Sequence, residues 1–152
     1  HCSLQCVDLP GGQIQILDDS FSSNPASLRS ALETLALLTV AGSGAMSGRR
    51  LLVLGAIDEL GERSEALHVS LADPIMRFGI DRVYAYGDQA RHTCAALPAS
   101  TVALHTLSAA ELKDALLADL RPDDWLILKF SRHSNLGERL WPALRSLSTG
   151  TI

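Results

Sequence analysis

The sequence predicts an α/β domain of the Rossmann-like, three-layer kind: a mostly parallel sheet with helices on both faces. Short apolar runs of strand length alternate with helical periodicities along most of the chain. Strands joined through helices need crossover connections, and crossovers are what parallel pairing demands. A chain of 152 residues that is 47% hydrophobic has material for one core, so residues 1–152 are expected to form a single domain.

The first element is a hairpin. Residues 3–7 and 13–17 alternate polar and apolar, as strands with one solvated face do, and Pro10, Gly11 and Gly12 supply the turn. Asn24 is placed to cap a helix and Pro25 to open it, because proline lacks only an N–H that has no partner in a first turn. Leu28, Ala31, Leu32 and Leu35 then carry an apolar stripe to about residue 38. The stretch 40–48, rich in Gly, Ser and Ala, reads as a connection to a buried strand at 51–54. After a loop comes a helix over 62–78, which Pro74 should kink or shorten. Strands follow at 83–87, 101–104 and 125–128, separated by a short helix at 90–97 and a longer one from Ser108 to about residue 120. Ser108 and Glu111 have capping-box spacing, in which each side chain satisfies the other's backbone N–H. A last helix is expected over 136–147, with Pro142 as a local fault.

Composition removes several classes of function. The net charge of −4 and the scattered Lys and Arg, whose one adjacent pair is Arg49 and Arg50, offer no basic stripe for a nucleic acid. The apolar runs fall short of the roughly 20 residues needed to cross a bilayer, so no membrane span is expected. Three cysteines without a CxxC indicate neither a disulfide framework nor a zinc site. A start at His1 without a leader reads as a cut from a longer polypeptide and not as a secreted precursor, and the net charge of −4 fits a cytoplasmic protein. No GxxxxGK[ST] cradle or GxGxxG turn is present, which argues against an independent nucleotidase or dehydrogenase. The lack of GxSxG, HExxH and Cys/His clusters likewise argues against the usual hydrolases and metalloenzymes.

In an open α/β sheet, ligands gather beyond the carboxyl ends of the strands, so the loops after residues 17, 54, 86, 104 and 128 carry the interest. The first runs from Asp18 to Pro25 and sets carboxylates and hydroxyls before a helix start. Such a start offers N–H groups to an anion, and a carboxylate accepts from sugar hydroxyls. Equally, Asp19 and Asn24 suit plain capping of turn and helix. The second loop holds Asp58 and Glu59, with His68 further on; adjacent carboxylates point apart, and a solvated loop is the default. The third runs from Lys129 to Asn135. There Lys129 suits a carboxylate or phosphate and Arg132 a planar clamp, while Asn135 and Glu138 have the spacing of another capping box.

These motifs together resemble a family. Asp18 to Pro25 is similar to the DDSYNANP signature that opens the C-terminal domain of Mur-type ATP-dependent amide ligases, nearest the branch that adds D-alanyl-D-alanine. LLVLGAIDELG at 51–61 resembles the strand and GDMxELG loop of that family, and SEALH at 64–68 resembles the helix after it. GIDRVYAYG at 79–87 and KFSR at 129–132, the latter similar to KGSR, complete the order, so the resemblance spans nearly the whole chain. It implies a domain that closes over a central P-loop domain in cell-wall or envelope biosynthesis, helping to hold ATP with magnesium and the incoming amino acid or dipeptide. Carried over by position, Asp19 and Asn24 belong to the nucleotide side, and Lys129, Ser131 and Arg132 approach the substrate side. The resemblance implies no catalytic residue, no metal ligand and no cofactor for the domain alone. The chain departs from the pattern at Phe21, Ser22 and Ser23, at Ala56 in place of Asp and at Phe130 in place of Gly. These changes leave open a second reading, a noncatalytic interaction or scaffold domain of the same fold.

Overall fold

The structure, a computed structural model, describes residues 3–20, 25–41, 48–57, 61–131 and 134–148, without the side chains at 39–41 and 148. The expected hairpin forms from β1 (Ser3–Leu9) and β2 (Gly12–Asp18), paired antiparallel, with Gly11 at φ +91° in the turn. Helix α1 (Pro25–Ala41) follows, opening on Pro25 as the sequence indicated. Then come β3 (Arg50–Gly55), α2 (Ser64–Ser70), α3 (Ala72–Arg77), β4 (Arg82–Tyr86) and α4 (Ala90–Ala95). The chain closes with β5 (Val102–Thr106), α5 (Ala109–Asp119), β6 (Trp125–Lys129) and α6 (Asn135–Ser148).

The six strands form one sheet in the order β1-β2-β6-β3-β4-β5, parallel at every pairing after the first hairpin. The chain steps outward from β2 through β3 and β4 to β5, then returns through α5 to insert β6 between β2 and β3. Alternation along each strand divides the core in two. Leu17, Leu52, Leu54, Val83 and Ile127 face Leu28, Leu32 and Leu35 of α1 and Ile75 of α3. Ile16, Leu51, Val53, Leu126 and Leu128 face Leu112 and Leu116 of α5 and Leu136, Leu140 and Leu144 of α6.

Two expectations change in detail. The helix predicted over 62–78 is broken, with a 3-10 turn at Gly61–Arg63, then α2, and a fault at Leu71 before α3. Pro74 lies in the first turn of α3, where its missing N–H costs little; a continuous helix would have set its ring against the carbonyl of Ser70. The capping box is half made. Ser108 accepts from the N–H of Glu111 at 3.1 Å, but its own N–H donates to Thr106 Oγ1 at 3.0 Å instead of to Glu111. Pro142 does lie inside α6.

Candidate functional site at the carboxyl edge of the sheet

Strands β2 and β6 pair with Asp18 beside Leu128, so the next residues along, Asp19 and Lys129, are neighbours on the face that α1 covers. Lys129 Nζ stands 2.8 Å from Asp19 Oδ2 and 3.4 Å from the Asp19 carbonyl, and the side chains are 2% and 5% exposed. The Asp19 N–H donates to the Leu128 carbonyl at 3.0 Å. Among the described residues, Asp19 Oδ1 has no partner. Asp18 points to the other face, where its Oδ1 accepts from the N–H and the hydroxyl of Ser20 at 3.0 and 2.6 Å. That is an Asx turn, and it bends the chain away from the strand end.

Phe130 follows Lys129, so alternation sends its ring to the opposite face, where it is buried in the core under α5 and α6. The neighbouring strand makes room for it: a Cβ on Gly55 would lie 2.7 Å from Phe130 Cβ. The bulk that stands where the resembling KGSR motif has glycine is thus accommodated within the core. Beside it, Gly55, Ala56, Gly87, Ser131 and Ser134 border a hollow of about 70 Å³. The Ser131 carbonyl accepts from the N–H and hydroxyl of Ser134 at 3.0 and 2.7 Å, just before α6 begins. A larger hollow of about 350 Å³ opens further along the edge, between Tyr86, Ser108, Asn135 and Arg139.

The structure therefore brings Asp19, Lys129 and Ser131 to one edge of the sheet. Asn24 and Arg132 lie outside the described residues, as do Asp58 and Glu59. His68, which the sequence marked only by position, is fully buried and committed at both ring nitrogens. Its Nε2 accepts the Ile57 N–H at 3.0 Å, so Nδ1 carries the proton and donates to the Ser64 carbonyl at 2.7 Å. This histidine fastens the chain after β3 to α2. Ser64 donates in turn to Gln89 at 2.8 Å, and Thr93 to the His68 carbonyl at 2.6 Å, so α4 joins the same assembly.

The most perturbed ionisable groups sit at the other end of the sheet. Asp119 accepts from Arg49 Nη1 at 3.1 Å, from Arg82 Nε at 2.6 Å and from the Tyr84 hydroxyl. Arg49 also grips Asp124, at 3.1 and 2.8 Å. Burial pushes the Asp119 carboxyl up, but the bonds from Tyr84, Arg49 and Arg82 outweigh it and hold it at about 2. Burial, helped by Asp119, pushes Tyr84 up to about 12. Perturbed groups often mark active sites. These, however, tie the C-terminal end of α5 and the starts of β3, β4 and β6 together at the edge opposite the strand carboxyl ends, and we assign them to structure. Composition could not have shown this cluster, whose members lie up to 75 residues apart.

Comparison with known proteins points to one family. The family model described as "Mur ligase, glutamate ligase domain" matches residues 4–132. The UDP-N-acetylmuramoyl-tripeptide–D-alanyl-D-alanine ligase of Mycobacterium leprae (strain TN) is 30% identical over 137 residues, which cover 82% of this chain and 26% of that protein. The ligase of the same name from Escherichia coli (strain K12) is 40% identical over 74 residues, covering 49% of this chain and 15% of that protein. Among solved structures, the MurF ligase from Thermotoga maritima in complex with ADP superposes with a TM-score of 0.66 at 21% identity, covering 96% of this chain and 31% of that one. The chain thus spans about a quarter or less of the length of these two curated relatives.

Proposed function

Since this chain belongs to the Mur ligase family, in the part the family model describes as the glutamate ligase domain, we propose that it is the ATP- and substrate-closing domain of a larger amide ligase of peptidoglycan synthesis. One observation carries the reading: motif residues from two strand ends 110 residues apart, Asp19 and Lys129, meet in a buried contact of 2.8 Å at the carboxyl edge of the sheet. That edge is where open α/β sheets take ligands.

On this reading Asp19 and Asn24 serve the nucleotide. Asp19 Oδ1, which takes no bond from the described residues, is an acceptor suited to a ribose hydroxyl, and the start of the long helix α1 favours negative charge nearby. Ser131 and Arg132 serve the side where the incoming amino acid or dipeptide arrives, whereas Lys129, expected there with them, is committed to Asp19. ATP, bound with magnesium chiefly by a central P-loop domain of the parent, supplies the phosphoryl group that converts a carboxyl to an acyl phosphate. This domain contributes no base of its own. By closing, it orients the amine and keeps water from the activated acyl group. It is therefore expected to be inactive alone and to act in the cytoplasm, in keeping with the lack, among the described residues, of any helix long and apolar enough to cross a membrane. The ADP in the Thermotoga maritima structure and the D-alanyl-D-alanine in the relatives' names accord with this reading.

The test is calorimetric titration of the full-length parent with a non-hydrolysable ATP analogue and magnesium, followed by an assay of amide formation. Binding that Asp19→Ala weakens supports the reading. A parent that binds no nucleotide overturns it and leaves the noncatalytic scaffold.

A further inference from the structure

Lys129 presents a problem that its motif does not resolve. Its ammonium is almost fully buried, on the sheet face occupied by Leu17, Leu54 and Ile127, where a cation without a partner is costly. The partner is Asp19, which makes three contacts with two residues of β6. The Asp19 N–H donates to Leu128, its Oδ2 receives Lys129 Nζ at 2.8 Å, and its carbonyl lies 3.4 Å from the same nitrogen. Among the described residues, this carboxylate is thus held by β6. Only Oδ1 is left open among the described residues.

We infer that Lys129 is a positioning residue for the nucleotide: it acts through Asp19, holding that carboxylate where its second oxygen, Oδ1, meets a ribose hydroxyl, and makes no direct contact with the incoming substrate. The pair then joins the two sides of the cleft, because the strand end that carries Ser131 also holds the nucleotide-side acceptor. This rests on the function proposed above and refines it. A hydrogen bond from a hydroxyl to a charged acceptor is worth about 10- to 100-fold in affinity, so the effect is measurable.

The experiment uses the full-length parent with magnesium. Affinities for ATP and for its 2′-deoxy and 3′-deoxy analogues are compared in wild type, Asp19→Asn, Lys129→Met and the double variant, together with KM for the amine at saturating ATP. Wild type should prefer at least one ribose hydroxyl about tenfold or more. Asp19→Asn and Lys129→Met should each lose that preference, the double variant should lose no more than either alone, and KM for the amine should stay within about twofold. Lys129→Arg, which keeps the charge, should recover part of the preference. If Lys129→Met does not fold, Lys129→Gln, which still offers Asp19 an N–H, serves instead and should weaken the preference several-fold. Full ribose preference in the Lys129 variants, with a raised KM for the amine, would overturn the inference while leaving the ligase reading intact. Absence of nucleotide binding in wild type would overturn both.

Discussion

Removing the charge of Asp119 should loosen the domain, and its surroundings set both the sign and the size of the effect. The carboxylate ends α5 and takes bonds from Arg49, Arg82 and Tyr84, with a side chain only 18% exposed, so water screens it little. Its carboxyl is held at about 2, against an ordinary value of 3.8. The difference of about 1.8, at about 1.36 kcal/mol for each pKa unit, amounts to about 2 kcal/mol. Because the folded value is the lower one, the unfolded chain binds more protons between about pH 4 and pH 2. The contribution is fully present above about pH 4 and is lost as the pH falls through about 2. Asp119→Asn should therefore cost about 2 kcal/mol at pH 7, and the gap to wild type should narrow as the solution is acidified below about pH 4. Urea unfolding followed by circular dichroism, at pH 7 and in steps down to about pH 3, measures both quantities. A gap under about 0.5 kcal/mol at pH 7, or one that stays constant on acidification, would refute the reasoning.

Tyr84 supplies the alkaline counterpart: its hydroxyl is pushed up to about 12, so its contribution is present below about pH 10 and lost as the pH rises through 12. Tyr84→Phe should flatten that limb of the stability profile, and urea midpoints between about pH 9 and 11 would show it. Gly55→Ala should lower the thermal midpoint through its clash with Phe130. Phe130→Gly should cost about 3–5 kcal/mol for the emptied core, and the double variant should lose less than the two single losses added together. His68→Ala strips a buried acceptor from the Ile57 N–H and a donor from the Ser64 carbonyl. A loss of about 3 kcal/mol is expected, with faster hydrogen exchange at Ile57, and unchanged exchange there would count against the fastening role.

Much of the fold could be read in advance because it rests on local rules. The opening hairpin, the helix begun by Pro25, the cap at Ser108 and the alternation of strand and helix all depend on neighbours in sequence. Pro74 was rightly seen as a fault, but the break falls at Leu71, since a proline acts on the turn before it. What escaped depended on register between distant strands. That Lys129 would be spent on Asp19 follows only once Asp18 is known to pair with Leu128. The direction of Phe130 was within reach, because adjacent strand residues face opposite ways, whereas its accommodation by Gly55 was not. Arg49 and Arg50 look like one basic pair in the sequence. In the fold they separate, the first to Asp119 and Asp124, the second to the Phe78 carbonyl at 2.7 Å.

The place of β6 bears on how the molecule is assembled. This strand is the last of the six to be synthesised, yet it forms the seam between β2 and β3. Until it arrives, the hairpin and the β3-β4-β5 ribbon are separate pieces, each with an unpaired edge exposed to unwanted partners. Closure then requires contacts of long sequence separation, which form slowly. A chain stopped before Trp125 should not yield a smaller version of this domain but two sticky fragments. By the same geometry, Asp19 stays without its lysine until the sheet is complete, so any ligand that reads that pair reads a finished fold.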